Sequence, residues 1–250
     1  MDPTEQKFIL ISDIHGNLSA FEAVLQDCAS EVFQGIILLG DIIDYGMRSN
    51  ETVQKLESLA SSLWKDKILV NIWGNHEKLV VDKDLDRLSS DRGRVMAQYT
   101  ADSLSPSTLA YINRMERSGS SKFTICGLNC LAVHGSLDDP YWKAISPSDV
   151  HGDYSEYDLV FSGHSHYSHF FTCFYPGNDP RLRNKKAVSF INPGSVGQPR
   201  NRNPLAQYAV LSLPSRRVEL RSTEYDIAYE QSLYPSVVDE FYKTRLTYGV

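Results

Sequence analysis

Phe8-Ile9-Leu10-Ile11-Ser12-Asp13-Ile14-His15-Gly16-Asn17 decides the fold. An apolar run from Phe8 to Ile11 ends in a tight polar turn, after which Leu18, Phe21, Val24, Leu25 and Cys28 recur at helical spacing. Outward from there the pattern repeats. Gly35 to Leu39 reads as a second buried strand, Val53, Leu56, Leu59, Ala60 and Leu63 as the apolar face of a helix that Ser49 or Asn50 could cap, and Ile68 to Trp73 as a third strand. A β-α-β-α-β run of this kind requires right-handed crossovers and a largely parallel sheet.

Residues 82–117 turn charged and helical, with Ser105-Pro106 or Ser107 opening the last helix of what reads as a rim insertion. Strands dominate beyond Lys122: Phe123 to Cys126, Cys130 to Val133, Leu159 to Phe161, Phe170 to Tyr175, Ala187 to Ile191, and Tyr208 to Leu213 paired through Pro214-Ser215 with Val218 to Arg221. The tail from Tyr225 reads as helical pieces broken at Pro235. The expected architecture is α/β: two packed mixed β-sheets flanked by helices, a four-layer α-β-β-α sandwich in one domain spanning 1–250.

Five polar motifs follow strand-like runs directly: Asp13-Ile14-His15, Gly40-Asp41, Gly74-Asn75-His76-Glu77, Val133-His134-Gly135 and Gly163-His164-Ser165-His166. In open α/β sheets the carboxyl ends of strands meet at one crevice, so these groups are expected to converge there. Of the seven histidines, only His151 and His169 fall outside the motifs, and neither receives a role. Carboxylates, a carboxamide and imidazoles in this number suit a two-metal site, and the mixture favours manganese, iron or zinc over magnesium.

Composition narrows the function classes. With 250 residues, 42% of them hydrophobic, the chain can bury one sizeable core. The amino terminus carries neither the flanks of a signal peptide nor the length of a membrane span, so a cytoplasmic protein without membrane contact is expected. Cys28, Cys126, Cys130 and Cys173 lack zinc-ribbon spacing and read as reduced thiols, with Cys126 and Cys130 flanking a turn on Gly127 and Asn129. A net charge of −6 argues against nucleic acid as the general partner. Oligomeric state has no signature in the sequence.

Asp-x-His, Gly-Asp-x-x-Asp, Gly-Asn-His-Glu, a later His and Gly-His-x-His together resemble the calcineurin-like metallophosphoesterase superfamily, from Phe8 to at least Arg200. The resemblance implies that Asp13, His15 and His166 hold a first metal, that Asn75, His134 and His164 hold a second, and that Asp41 bridges them. It implies His76 as general acid or phosphoryl stabiliser, oriented by Asp44, and in-line attack of a metal-bound hydroxide on phosphorus. Arg200, Asn75 and His76 would meet the substrate, a small phosphodiester, phosphomonoester or nucleotide.

Protein serine/threonine phosphatases of this superfamily carry an arginine where this chain has Tyr45, which weakens that reading. Ser12 to Asn17, Tyr45-Gly46 and Asn192-Pro193-Gly194-Ser195-Val196-Gly197-Gln198-Pro199-Arg200 are similar instead to the small prokaryotic-type phosphoesterases, phosphodiesterases and diadenosine tetraphosphatase-like members among them. The last loop reads equally as a set of amides that meet phosphate oxygens and as a turn bracing the metal-bearing loop. Arg181, Arg183, Lys185, Lys186, Arg200 and Arg202 form the one basic concentration, beside Tyr167 and Phe170 to Tyr175. A strand whose rings pack the core, next to a solvated basic loop, is the better reading than a base-stacking platform. A nuclease, which needs a polyanion groove, and a catalytically silent scaffold are the competing classes.

Overall fold

The computed structural model describes residues 5–250. The first half runs β1 (Gln6–Ile11), α1 (Leu18–Asp27), β2 (Gly35–Leu38), α2 (Ser49–Ala60) and β3 (Ile68–Asn71), with β1 parallel to β2 and β2 parallel to β3. Asn17 caps α1, its carboxamide oxygen accepting from the Ala20 N–H at 3.1 Å. At α2 the expected caps are diverted and Arg48 occupies the cap position. The Ser49 hydroxyl accepts from the Asp44 N–H, while Asn50 bonds Ser103, Ser105 and Thr108 and so ties α2 to the helical segment that follows β3. Because α2 stops at Ala60, Leu63 leaves the apolar face and is exposed.

α3 (Asn75–Val81) follows β3, and the charged stretch after it folds into α4 (Asp91–Ser103) and α5 (Pro106–Ile112), with Ser105 capping the last through the Thr108 N–H. β4 (Ser120–Ile125), β5 (Leu128–Val133), β6 (Leu159–Ser162), β7 (His169–Pro176) and β8 (Lys185–Asn192) follow. β9 (Ala206–Leu213), β10 (Arg217–Thr223), α6 (Ile227–Ser232) and α7 (Glu240–Tyr248) complete the chain. The sheets are ordered β10-β9-β1-β2-β3 and β4-β5-β6-β8-β7, so the late β9–β10 hairpin returns to the first sheet, antiparallel to β1. The β4–β5 turn is Cys126-Gly127, both left-handed at φ +48° and +76°, as a two-residue hairpin requires. Asn129 therefore lies in β5 and not in the turn. All four cysteines are free.

Period-two alternation puts Leu10, Ile37 and Val70 of one sheet against Ala132, Phe161 and Ile191 of the other. Burial of a ring such as Phe161, which is fully enclosed there, stabilises the fold by about 2 to 3 kcal/mol. The opposite face of the first sheet, through Ile9, Ile11, Ile36 and Leu38, meets Phe21 and Val24 of α1 and Val53 and Leu56 of α2. The outer face of the second sheet is covered by Ile145, Tyr154 and Tyr157, from the irregular segment between β5 and β6. On β7 the rings alternate: Phe171 stacks on Phe190 at 4.9 Å, whereas Phe170 and Phe174 face outward and are exposed. Only half of that strand's aromatics thus pack the core.

Candidate metal centre

β1, β2, β3, β5 and β6 end on the same side, and each of the five motifs sits at one of those ends. The turns there are unusual in backbone: Asp13 (φ +54°), His15 (+51°), Asp41 (+52°), His164 (+64°) and His166 (+59°) are all left-handed. Such conformations cost roughly 1 to 3 kcal/mol each and persist only where the surroundings over-determine them. Here main-chain bonds stitch the turns together, from Asp13 N–H to Gly40 (3.1 Å), His15 N–H to Asp41 (2.9 Å) and Gly16 N–H to Ile42 (2.8 Å). Gly74 allows a close approach, since a Cβ there would lie 2.1 Å from Asp41 Oδ1.

The side chains converge on two adjacent points. Around the first, Asp13 Oδ1 is 3.1 Å and His15 Nε2 3.2 Å from His166 Nε2, and Asp41 Oδ2 is 3.7 Å from His15 Nε2. Around the second, Asp41 Oδ2 is 3.3 Å from His134 Nε2, and Asn75 Oδ1 lies 3.0 Å from that nitrogen and 2.8 Å from His164 Nδ1. Asp41 Oδ2 belongs to both groups. The structure thus brings together Asp13, His15, Asp41, Asn75, His134, His164 and His166, and two sets, Asp13-His15-Asp41-His166 and Asp41-His134-His164, can each hold a metal ion.

Two observations fit a metal there. Asp13 Oδ1 and Asp41 Oδ2 are buried without a hydrogen-bond donor, a costly state for anionic oxygens unless a cation is their partner. In addition, each of the four histidines donates its other ring nitrogen to a main-chain carbonyl: His15 Nδ1 to Ile43, His134 Nδ1 to Leu39, His164 Nε2 to Trp142 and His166 Nδ1 to Gln198. That fixes the tautomer and leaves the inward nitrogen with a lone pair.

Electrostatics agree for three of the four imidazoles, His134 being the exception. Burial lowers the imidazoles of His15, His164 and His166 below the ordinary histidine range, His164 to about 4, which keeps them neutral as ligands must be. Burial opposes ionisation of Asp13 and Asp41, yet His166 beside the first and His134 beside the second hold both carboxyls well down. His134 is pushed up to about 9, its burial outweighed chiefly by Asp41.

His76, 4% exposed, stands next to this cluster with Nδ1 2.6 Å from Asp44 Oδ2. Burial lowers its pKa, but Tyr45, Asp41 and Asp44 together raise it to about 10. Tyr45 packs its ring 4.4 Å from His76 and 4.6 Å from His15, and is backed by Tyr242 of α7 at 5.2 Å. The site residue that sequence reasoning left without a role is Glu77. Fully buried, it accepts the N–H groups of Gly74, Asp41, Ile42 and Ile43 at 2.7 to 3.3 Å and so pins the Asp41 turn to α3. Its position three residues after Gly74, at the start of a helix, was the available signal.

The Asn192 to Arg200 loop resolves toward bracing. Val196 and Gly197 give their N–H groups to the Ser12 and Asp13 carbonyls, Ser195 Oγ donates to Asp13 O, and Asn192 Nδ2 donates to Gly163 O. Those amides and side chains are engaged with the turns that carry Asp13 and His164 themselves. The basic concentration is divided: Arg181, Arg183 and Lys185 stand at the far end of the β7–β8 hairpin, where Arg181 pairs with Asp179, while Arg200 and Arg202 follow β8 at the site end. The Arg200 N–H bonds the His166 carbonyl at 3.4 Å. His151 pairs with Asp149 at the surface.

Residues 7–216 match the calcineurin-like phosphoesterase superfamily domain. The chain belongs to that superfamily. An uncharacterized protein of Methanocaldococcus jannaschii is 30% identical over 230 residues, which cover 89% of this chain and 90% of that one. A metallophosphoesterase from Sphaerobacter thermophilus is 29% identical and superposes with a TM-score of 0.71, over 99% of this chain and 100% of its own. A hypothetical protein from Pyrococcus horikoshii OT3 shares the fold at a TM-score of 0.81 and 19% identity, over 98% of both chains. For this calcineurin-like protein, no helix among the described residues is long and apolar enough to cross a membrane.

Proposed function

We propose that the chain is a two-metal phosphoesterase that hydrolyses a small phosphodiester, phosphomonoester or nucleotide. The observation that carries this reading is the shared position of Asp41 Oδ2, common to two ligand groups and buried without a hydrogen-bond donor. Asp13, His15 and His166 would hold one ion, and Asn75, His134 and His164 the other, with manganese, iron or zinc suited to so many imidazoles. When bound, such a pair supplies Lewis acidity toward phosphoryl oxygens and a water of lowered pKa.

The chain's own residues do the rest. Asp44 occupies Nδ1 of His76 and, with Tyr45 and Asp41, keeps that imidazole protonated, so that Nε2 carries the proton offered to the leaving oxygen. Asn75 and Arg200 would orient the ester. Glu77 and the 192–200 loop hold the turns that aim the ligands. Burial of the cluster excludes bulk water, which strengthens each charge interaction within it. Four free thiols suit a reducing compartment and support a cytoplasmic location.

The test is hydrolysis of matched chromogenic phosphodiester and phosphomonoester substrates by manganese-loaded protein, with His76→Ala beside the parent. Turnover that collapses in the variant supports the reading and the ratio of the two rates assigns the ester class. Two bound ions with no turnover of any phosphate ester would refute it.

A further inference from the structure

An edge strand presents a row of unpaired main-chain N–H and C=O groups, which invites pairing with another chain unless charge, a bulge, shortness or a covering segment prevents it. The edges here are β10 and β3 of the first sheet and β4 and β7 of the second. Three of them are guarded. β10 carries Arg217, Glu219 and Arg221, and β4 carries Lys122. β3 is four residues long, and Glu116 lies along its end, bonded to Asn71 and Trp73. β7 has none of these protections. His169-Phe170-Phe171-Thr172-Cys173-Phe174-Tyr175-Pro176 contains no Asp, Glu, Lys or Arg, and it pairs with β8 along its whole length without a bulge.

The two faces of β7 differ. Phe171, Cys173 and Tyr175 pack beneath the segment between β5 and β6. Phe170, Thr172 and Phe174 point the other way and are open to solvent, the two rings 46% and 66% exposed. The strand therefore leaves both its main chain and a pair of rings without a neighbour.

We propose that β7 pairs with β7 of a second copy of this chain, antiparallel about a twofold axis, so that the five-stranded sheets of two copies join into one. Symmetry restricts the register. Directly opposed side chains share a face of the sheet, so the axis must pass where one residue meets its own copy. With the axis at Thr172, Phe170 of each copy stands opposite Phe174 of the other. An axis at Phe171 or at Cys173 sets a ring against Thr172 instead. One register thus matches both exposed rings at once, and that self-complementarity is what favours a second copy over a foreign strand. Aromatic pairs opposed across a ladder stabilise it. The chain carries a net charge of −6, yet none of that charge lies on β7 to repel its copy. Taking about 200 Å² per ring, two copies bring roughly 400 Å² of exposed ring to the joint. The main chains of two eight-residue edges add to this and bring the contact toward the roughly 1,000 Å² of a stable interface. The same axis carries the β7–β8 tip, with its exposed Leu182, toward Tyr167 of the second copy, which is also exposed.

The test is the mass of the full chain in solution, measured by analytical ultracentrifugation at micromolar concentration. The parent is expected at twice 28.2 kDa, and Phe174→Lys and Thr172→Lys each at 28.2 kDa. Both replaced side chains are exposed, and circular dichroism checks that the variants are folded. Val32→Lys, at another exposed apolar position, is expected to stay dimeric. A monomeric parent overturns the proposal, and so does a dimer that both β7 lysine variants leave intact. Register is read by a short bismaleimide, which should link two copies of Thr172→Cys while the parent, with its exposed Cys126, stays unlinked. A dimeric Thr172→Cys that links no more than the parent overturns the axis at Thr172.

Discussion

His76 Nδ1 lies 2.6 Å from Asp44 Oδ2, and the other oxygen of that carboxylate, Oδ1, accepts the Thr100 hydroxyl at 2.6 Å. The proton-bearing imidazole is thus held through Asp44 by α4, a helix that touches none of the metal ligands through this contact. Asp44→Asn keeps the shape and removes the charge, and is expected to lower kcat about 10²-fold with KM little changed. Thr100→Val, which frees one carboxylate oxygen and lets the pair reorient, should cost less. Steady-state kinetics of both variants at saturating metal measures this, and a loss confined to KM would contradict an orienting role.

Glu77 accepts four main-chain N–H groups from two turns. Glu77→Gln places an amide donor against those donors and should destabilise the fold by about 2 kcal/mol. Because the Asp41 turn loosens, metal affinity is expected to fall about 10- to 100-fold. Urea denaturation and competitive metal titration read the two effects separately.

Gly197 is the steric counterpart. A Cβ there would stand 1.9 Å from the Ile14 carbonyl oxygen, and the Gly197 N–H bonds Asp13 O at 3.0 Å. Gly197→Ala pushes the whole Asp13–His15 turn, so a loss of about 2 kcal/mol or more in stability and a weaker first metal site are expected. Normal metal affinity in a folded variant would show that the loop does not set the ligand geometry.

These residues show what was legible in the sequence. Each residue of the Asp/His cluster, and Asn75 beside it, follows its strand closely, and strand, turn and polar side chain are read together, so Asp13, His15, Asp41, Asn75, His134, His164 and His166 could be gathered from the sequence. Thr100, Tyr242 and Arg245 reach the site only through packing of α4 and α7, and no local pattern announces such contacts. The α2 cap failed for a related reason. Ser49 and Asn50 have capping chemistry, but tertiary partners at Asp44 and Ser105 outcompete the helix end. Gly127 was seen in the β4–β5 turn, while Cys126 as its left-handed partner was not, since only backbone pairing sets that register.

Away from the site, Glu31 bonds Lys7 Nζ at 2.5 Å and Arg221 at 2.8 Å, and these partners, Lys7 foremost, pull its carboxyl below the ordinary value. A carboxyl depressed in the folded state stabilises fully above its unfolded pKa, and that contribution fades as pH falls through the folded value. Glu31→Gln should therefore cost about 1 kcal/mol at pH 7, with parent and variant converging as the pH is taken below about 4. Chemical denaturation at both pH values checks the sign; a gap that widens in acid would contradict it.

The central claim is that Asp41 joins two metal ions at a phosphoesterase centre. The most direct measurement titrates chelator-stripped protein with manganese while following bound metal and phosphodiester hydrolysis together, for the parent and for Asp41→Asn. Two ions per chain are expected, with hydrolysis appearing only as the second binds and with both lost in the variant. A single bound ion, or hydrolysis as fast in the stripped protein as in the loaded one, would contradict the account.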